Sequence, residues 1–254
     1  MRIAAFTLIL STALSTALST ACGGEAPRSD DAKQAADAKP PGDAKPPGDA
    51  KAAGDTKAAG TARTWAFDAD AVGKVPAGIR PTEAGGTGTP ATWAVVAEPT
   101  APSQPNAFGI TESKNTKKTY NLAVVEGTSY GDVDLQVSVK AGTGVLNQGG
   151  GIIWRVTDAD DYYIARWDPI EDNAYLYIVQ GGVRTALAKL DIELDTATWH
   201  TLRVVAEGSR IELHIDDEPK LTAENAELKE PGMIGLWTKS DAATLFDDLS
   251  VATP

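Results

Sequence analysis

The sequence has only one cysteine and two histidines in 254 residues. A single cysteine excludes an intramolecular disulfide framework, and one thiol with two imidazoles excludes a zinc cluster of Cys and His ligands. A tightly bound metal would therefore need oxygen ligands. Basic residues are also scarce, because 23 Lys and Arg side chains stand against 35 Asp and Glu, a net charge of −12. This balance argues against nucleic acid as a partner, since phosphate binding depends on clustered Lys and Arg.

The first 21 residues are typical of an export signal. Arg2 supplies a positive start, and residues 3–18 form an apolar stretch of the length of a signal core, short for a membrane span. Small residues then lead to Cys22. This segment resembles a bacterial lipoprotein signal, in which cleavage leaves the cysteine first, carrying lipid. It departs from that pattern at Ser19, where the family usually has the leucine that here stands one place earlier as Leu18.

We expect cleavage after residue 21 and lipidation of Cys22, the only cysteine of the chain. Several acyl chains anchor a protein stably, because each buried methylene contributes about 0.8 kcal/mol. The expected location is the bacterial cell envelope, at the outer membrane or the periplasmic face, and Gly23 after the cysteine is compatible with outer-membrane sorting. The alternative is an ordinary cleaved signal peptide with an incidental cysteine.

Residues 22–63 are predicted to form a disordered linker. From Gly23 to Arg63 there is no aromatic residue and no Ile, Leu or Val, and the hexad Asp-Ala-Lys-Pro-Pro-Gly occurs twice, at 37–42 and 43–48. A repeat with nothing apolar to bury cannot offset the entropy of ordering.

Period-two patterning dominates residues 64–254, which we expect to be one domain. Val133 to Lys140 and Arg210 to Asp216 alternate apolar and polar residues, as strands with one buried face do. Two segments, 191–198 and 222–229, are the only places for a short helical turn. The predicted class is all-β, an antiparallel β-sandwich. Further strands are expected at 93–97, 120–125, 151–157, 162–167, 175–179, 199–206, 233–238 and 245–251.

Several segments resemble the concanavalin A-like jelly rolls of lectins and glucanases: 149–155, 161–177, 199–203, 235–239 and 246–249. Among these jelly rolls the chain is most similar to 3-keto-disaccharide hydrolase (family-16-glycosidase-like) and laminin-G-like domains. Its most distinctive parts are Tyr-Tyr-x-x-Arg at 162–166 and Glu-Asp-Asn at 171–173. The resemblance implies two curved antiparallel sheets and a role related to carbohydrate, although one fold serves many functions.

A retaining glucanase of this fold carries Glu-x-Asp-x-x-Glu on one strand, so that two carboxylates flank the scissile bond. The nearest match, Glu193-Leu-Asp195, lacks the third carboxylate, which argues against that mechanism. Cleavage of a 3-keto sugar could instead begin with removal of a proton beside the ketone, which needs one base. His200, His214 or a carboxylate could serve as that base; the positions of the two histidines favour a structural role, and the catalytic residues stay unassigned.

For carbohydrate binding the sequence offers aromatic rings beside Arg, Asp and Asn, the expected receptor chemistry for sugars. On the strand at 162–167, alternation places Tyr162 and Arg166 on one face and Tyr163 and Trp167 on the other. We expect the Tyr162 face to be exposed, because burying unpaired guanidinium groups is costly. The alternatives are aromatics that fill the core, and arginines that pair with Glu171 or Asp172. The candidate binding residues are Arg155, Tyr162, Arg166, Asp172, Asn173 and Trp237.

Structural calcium is a further expectation. Jelly rolls of this kind often tie their first strand to their last through an oxygen-ligated ion, and acidic residues lie near both ends of this domain. The candidate ligands are Asp68, Asp70 and Asp247, or Asp248 in its place; a second acidic cluster lies in a turn at Asp158, Asp160 and Asp161, and no other cofactor is indicated.

Three functions remain open. The leading hypothesis is a membrane-anchored, extracytoplasmic lipoprotein that presents a carbohydrate-binding domain. The second is a glycoside-processing enzyme of the 3-keto-disaccharide hydrolase type. The third is an adhesion or scaffold module that binds a protein.

Overall fold

The computed structural model describes residues 62–86, 90–116 and 118–254. The predicted export signal, Cys22 and nearly all of the predicted linker lie outside the described residues. Within the described ranges, no helix is long and apolar enough to cross a membrane.

The described residues form fifteen strands and no helix, which confirms the predicted all-β class. The strands are β1 (Arg63–Trp65), β2 (Ile79–Ala84), β3 (Thr92–Ala97), β4 (Asn106–Glu112), β5 (Tyr120–Tyr130), β6 (Val133–Thr143), β7 (Gly150–Val156), β8 (Tyr162–Asp168), β9 (Asn173–Gln180), β10 (Val183–Asp191), β11 (His200–Glu207), β12 (Arg210–Ile215), β13 (Glu218–Glu224), β14 (Gly232–Lys239) and β15 (Ala243–Ala252).

The strands form two antiparallel sheets. One has the order β13-β12-β11-β6-β15-β4-β3, with β1 added beside β15, and the other has the order β10-β9-β8-β7-β14-β5-β2. Strand pairing accounts for one of the two segments where a helical turn was considered, since Thr222 to Glu224 complete β13 against β12. The segment at 191–198 is the end of β10 followed by a loop.

The main core lies between the two sheets. The eight-stranded sheet contributes the inward residues of the predicted alternation, among them Val133, Leu135 and Leu213, and the seven-stranded sheet contributes Tyr163 and Trp167. All five are buried. This is the arrangement that period-two alternation requires, because every second side chain of a strand points to the same face.

A second apolar cluster covers the opposite face of the seven-stranded sheet. Its members come from β2, β5, β7, β8, β9 and β14, and its large side chains are aromatic. The two faces of β8 are divided as the alternation predicted, with Tyr162 in this cluster and Tyr163 in the core. Tyr162 is nevertheless buried and not exposed. The seven-stranded sheet therefore has two apolar faces, and only one is explained by the core.

Candidate functional site

The outer face of the seven-stranded sheet carries two pairs of stacked aromatic rings. Tyr120 and Trp237 stack with ring centroids 5.5 Å apart, and Tyr175 and Tyr177 stack at 4.7 Å with nearly parallel planes. The pairs lie on different strands, since Tyr120 is on β5, Trp237 on β14 and both other tyrosines on β9.

The sheet is strongly curved towards this face, as the position of Arg184 shows. Arg184 is on β10, and its guanidinium carbon lies 4.5 Å from the ring centre of Tyr177, 5.1 Å from that of Tyr120 and 6.0 Å from that of Trp237. Five strand spacings separate β10 from β5, which in a flat sheet would be roughly 24 Å. We call this surface the concave face, defined by Tyr120, Tyr162, Tyr175, Tyr177 and Trp237.

Arg166 lies within the concave face and is held by polar partners. Its Nη1 donates to Asn173 Oδ1 at 2.8 Å, and its Nη2 donates to Glu171 Oε2 at 3.0 Å and to Tyr177 Oη at 3.3 Å. The guanidinium carbon lies 4.9 Å from the ring centre of Tyr175. Burial disfavours the charge, yet Tyr177, Asp168 and Glu171 hold the pKa of Arg166 above its ordinary value. Arg166 is therefore a fixed cation.

Asp168 completes this polar group. Its carboxylate lies 3.6 Å from Arg166 Nη1, accepts a hydrogen bond from the backbone N–H of Ile170 at 3.0 Å and accepts another from the side-chain amide of Asn147. Burial raises the pKa of Asp168, and Arg166 opposes that rise.

Lys239 is a second kind of cation on the concave face. It lies two residues after Trp237 on β14 and pairs with Tyr120 of β5. Burial lowers the pKa of Lys239 to about 7, and Arg184 acts in the same direction. An amine with this pKa exists in both protonation states near neutral pH, so it can accept or release a proton.

Gly151 of β7 lies between Trp237 of β14 and Arg166 of β8. It pairs with Trp237 on one side and with Arg166 on the other. A Cβ at this position would come within 1.9 Å of the backbone oxygen of Ala165, so no side chain fits there. Strand β7 therefore contributes no side chain between the Trp237 ring and the Arg166 guanidinium.

The structure brings four of the six predicted binding residues together. Tyr162, Arg166 and Trp237 lie on the concave face, and Asn173 reaches it through Arg166. The predicted alternative of an ion pair between Arg166 and Glu171 is also present. Asp172 is exposed in the turn after Glu171, and its backbone oxygen accepts a hydrogen bond from the backbone N–H of Ile192 at 2.9 Å.

Arg155 lies away from this group. Its guanidinium donates to the backbone oxygens of Gly131 at 2.8 Å, Leu228 at 2.7 Å and Gly208 at 3.2 Å, with Asp132 at 3.4 Å. These partners sit in loops between strands, so Arg155 fastens loops at one end of the sandwich.

Neither histidine reaches the concave face. His200 Nδ1 lies 2.8 Å from the carboxylate of Asp216 and Nε2 lies 2.8 Å from the backbone oxygen of Asp195, and the ring packs edge-on against Trp167. His214 lies on the eight-stranded sheet, 3.6 Å from Glu212. Both have the structural settings that their sequence positions favour.

The three calcium candidates each contact the same short segment, residues 103–106. Asp247 accepts a hydrogen bond from the backbone N–H of Ser103 at 2.9 Å, and Asp68 accepts one from the backbone N–H of Asn106 at 3.2 Å. Asp70 contributes its backbone oxygen to the Asn106 amide at 3.4 Å. Burial raises the pKa of Asp247 to about 6. Among the described residues no group of three or more His, Cys, Asp or Glu side chains is arranged to hold a metal, and calcium stays a prediction.

Five concave-face residues were not among the predicted binding residues: Tyr120, Tyr175, Tyr177, Arg184 and Lys239. Tyr120 begins a predicted strand, Lys239 lies one residue beyond the predicted strand at 233–238, and Arg184 follows a Gly-Gly turn on a strand that was not predicted. Only the alternation of β14 carried a usable signal, because Lys239 shares the parity of Trp237.

Two solved structures have a similar fold. The carbohydrate-binding module CBM66 from Bacillus subtilis is 20% identical with a TM-score of 0.51, and the match covers 66% of this chain and 95% of that one. A beta-glucanase from Bacillus licheniformis is 12% identical with a TM-score of 0.52, and the match covers 77% and 99%. At these identities the likeness establishes a jelly-roll fold. No curated protein matches the chain.

The family comparison is more specific than the fold. The model of the 3-keto-alpha-glucoside-1,2-lyase-like domain matches residues 84–252, more than half of the chain and all of the strands that form the concave face except most of β2. This confirms the resemblance to 3-keto-disaccharide hydrolase domains. The chain therefore belongs to the 3-keto-alpha-glucoside-1,2-lyase-like domain family.

Proposed function

We propose that this protein is an exported lipoprotein of the bacterial cell envelope whose concave face binds a saccharide. The envelope location rests on the lipoprotein-like signal ending at Cys22 and on the repeat linker that follows it. The saccharide rests on the family and on the chemistry of the concave face. The linker gives the domain reach beyond the membrane surface.

One observation carries the proposal: stacked tyrosines flank an arginine that is already held in place. Sugars present apolar C–H faces, which pack on aromatic rings, and fixed hydroxyl groups, which suit oriented donors and acceptors. Tyr175 and Tyr177 supply the rings, and the contacts of Arg166 with Glu171 and Asn173 fix polar groups beside them. Fixed partners reduce the entropy lost on binding.

Replacement of Tyr175 by alanine tests the proposal. Tyr175 stacks on Tyr177 and lies against Arg166, so the change removes one ring while the polar contacts of Arg166 with Asn173 and Glu171 remain. We expect affinity for the bound saccharide to fall roughly tenfold or more, as for a buried aromatic anchor. Calorimetric titration of the full chain against a glycan panel that includes 3-keto glucosides measures it.

The matched control is Trp199→Ala, because Trp199 donates to Thr100 on the side of the eight-stranded sheet. This variant should bind as the unaltered chain does. Loss of affinity in the control but not in Tyr175→Ala would place the saccharide elsewhere, and no binding to any glycan of the panel would contradict the proposal itself.

Catalysis is a second candidate, favoured by Lys239. Binding alone does not need a lysine whose pKa lies at about 7, whereas a general base is most effective when its pKa is near the working pH. In a 3-keto glycoside the ketone acidifies the proton on carbon 2. We infer that neutral Lys239 takes this proton.

The electrons then balance as an elimination. The electron pair of the C–H bond at carbon 2 first forms an enolate with the ketone. It then forms a double bond between carbons 1 and 2, while the bond from carbon 1 to the glycosidic oxygen breaks. The leaving oxygen takes the proton back from protonated Lys239, which returns to its neutral form, and the products are an alcohol and an unsaturated 3-keto sugar. Arg166 and Arg184 contribute positive charge to the face on which the enolate forms.

A further inference from the structure

Two polar atoms on the concave face make no hydrogen bond of normal geometry within the described structure. They are the hydroxyl oxygen of Tyr162 and the indole Nε1 of Trp237, and both side chains are fully buried. Leaving a buried polar group unsatisfied costs about 1–3 kcal/mol, so such groups are uncommon in folded proteins. Two of them on one face leave a place where a group outside the described residues can complete their hydrogen bonding.

The two groups are close neighbours. Tyr162 is on β8 and Trp237 on β14, with β7 between them, and the indole N–H of Trp237 comes close enough to the Tyr162 hydroxyl to affect its pKa. Burial raises the pKa of the Tyr162 hydroxyl, and the Trp237 indole partly opposes that rise. The hydroxyl therefore keeps its proton throughout the range in which the protein works.

We propose that the Tyr162 O–H and the Trp237 N–H are a donor pair that receives one oxygen of the ligand, and that this oxygen is the ketone oxygen of an oxidised sugar. The indole N–H is a donor only, and a protonated phenol can donate as well. A ketone oxygen has two lone pairs and no proton, so it matches two donors at once. This assignment rests on the proposed saccharide site and names the group that selects the substrate.

The chemistry of an elimination makes this pair more useful than a binding contact alone. When a base removes the neighbouring proton, negative charge develops on the ketone oxygen, and donors already aimed at that oxygen stabilise it more than they stabilise the ground state. Tyr162 and Trp237 would therefore contribute to both recognition and rate.

Arg184 covers the aromatic rings around the pair. Its guanidinium lies over the rings of Tyr120, Tyr177 and Trp237, and Tyr162 and Trp237 lie beneath this aromatic group with no exposed surface. The proposal requires the side chain of Arg184 to move aside when the ligand binds.

The test compares a 3-keto glucoside with the parent glucoside that carries a hydroxyl at the same carbon. For the full chain, Tyr162→Phe should lower affinity for the ketone roughly tenfold or more and affinity for the parent sugar less than threefold, because a site built around one polar group discriminates strongly against its absence. Trp237→Phe should act in the same direction. Calorimetry measures the affinities.

A second readout reports the hydrogen bond itself. In the unaltered chain, the infrared C=O stretch of the bound ketone should lie below its frequency in water, and in Tyr162→Phe it should return towards the frequency of a ketone without a strong donor. A merely structural role for Tyr162 would leave this band unchanged.

Matched controls are available on the other face of the same strand. Tyr163 donates its hydroxyl to Asn225 and Trp167 packs in the core, so Tyr163→Phe and Trp167→Phe alter stability without altering the preference for the ketone. Equal losses for both sugars in Tyr162→Phe, or no loss for either, would overturn the donor pair while leaving the saccharide site intact. Failure of the unaltered chain to bind either sugar would overturn the site and the donor pair together.

Discussion

Two cations on the concave face have opposite electrostatic settings. Arg166 is surrounded by Glu171, Asp168 and the hydroxyl of Tyr177, which keep its charge despite burial. Lys239 is buried with Arg184 and Arg166 among its charged neighbours, and this lowers its pKa to about 7, while Glu171 and Asp168 oppose that change. The difference arises from the neighbours, because burial disfavours the charge of both. One residue is suited to permanent binding and the other to proton transfer.

The proposed role of Lys239 as a base leads to a pH-dependent prediction. A base acts in its neutral form, so turnover of a 3-keto glucoside should rise as the pH increases through about 7 and then level off, because the pKa of Lys239 is about 7. Lys239→Gln should remove this rise and lower the rate by roughly 100-fold or more, the scale of general-base catalysis. Rates measured from pH 5 to 9 check both statements.

Lys140 is the control for this experiment, since it pairs with Glu98 on the eight-stranded sheet. Lys140→Gln should keep the rate and its pH profile. A Lys239→Gln variant with the same profile as the unaltered chain would show that another group is the base.

At the residue scale, alternation predicted the faces of β8 but not the position of Arg155. Tyr162 and Arg166 share a face because β8 is regular. In β7, Arg155 has a positive φ of 49°, and the register against β14 shifts between Met233 and Gly235. This β-bulge turns Arg155 away from the concave face, and a bulge leaves no clear mark on the apolar pattern.

Among the elements, the strands that the sequence analysis missed are mostly those with few neighbours. β2, β10 and β13 lie at or next to a sheet edge, and β13 is largely exposed. A strand with one neighbour need not bury every second residue, so its alternation is weak. The missed strand β10 carries Arg184, and the cation that covers the concave face was missed with it.

Gly151 supports a prediction about β7 and β8. Gly151→Ala should destabilise the fold by about 3 kcal/mol or more, because its Cβ would lie 1.9 Å from the backbone oxygen of Ala165 and the pairing of the two strands would have to open. Gly208→Ala is the comparison, since nothing lies within 4 Å of its Cβ and only its φ of +57° is unfavourable; it should cost about 1 kcal/mol.

Chemical denaturation of both glycine variants measures these free energies of unfolding. Equal and small losses in the two would show that β7 and β8 are less closely packed than described, and would weaken the account of an empty position between Trp237 and Arg166.

For the whole molecule, the proposed envelope location depends on Cys22. Cys22→Ser removes the only thiol that can carry lipid, so the protein should move from the membrane fraction to the soluble periplasmic or secreted fraction, and labelling with a radioactive fatty acid should disappear. An ordinary signal peptide would predict the same soluble fraction for both forms of the protein. Cell fractionation distinguishes the two.

The central claim is that the concave face is the saccharide site, and the structure of the chain bound to a 3-keto glucoside tests it most directly. We expect a sugar ring packed on Tyr175 and Tyr177, with its ketone oxygen within hydrogen-bond distance of Tyr162 and Trp237. A sugar bound to the eight-stranded sheet, or to loops at an end of the sandwich, would contradict it.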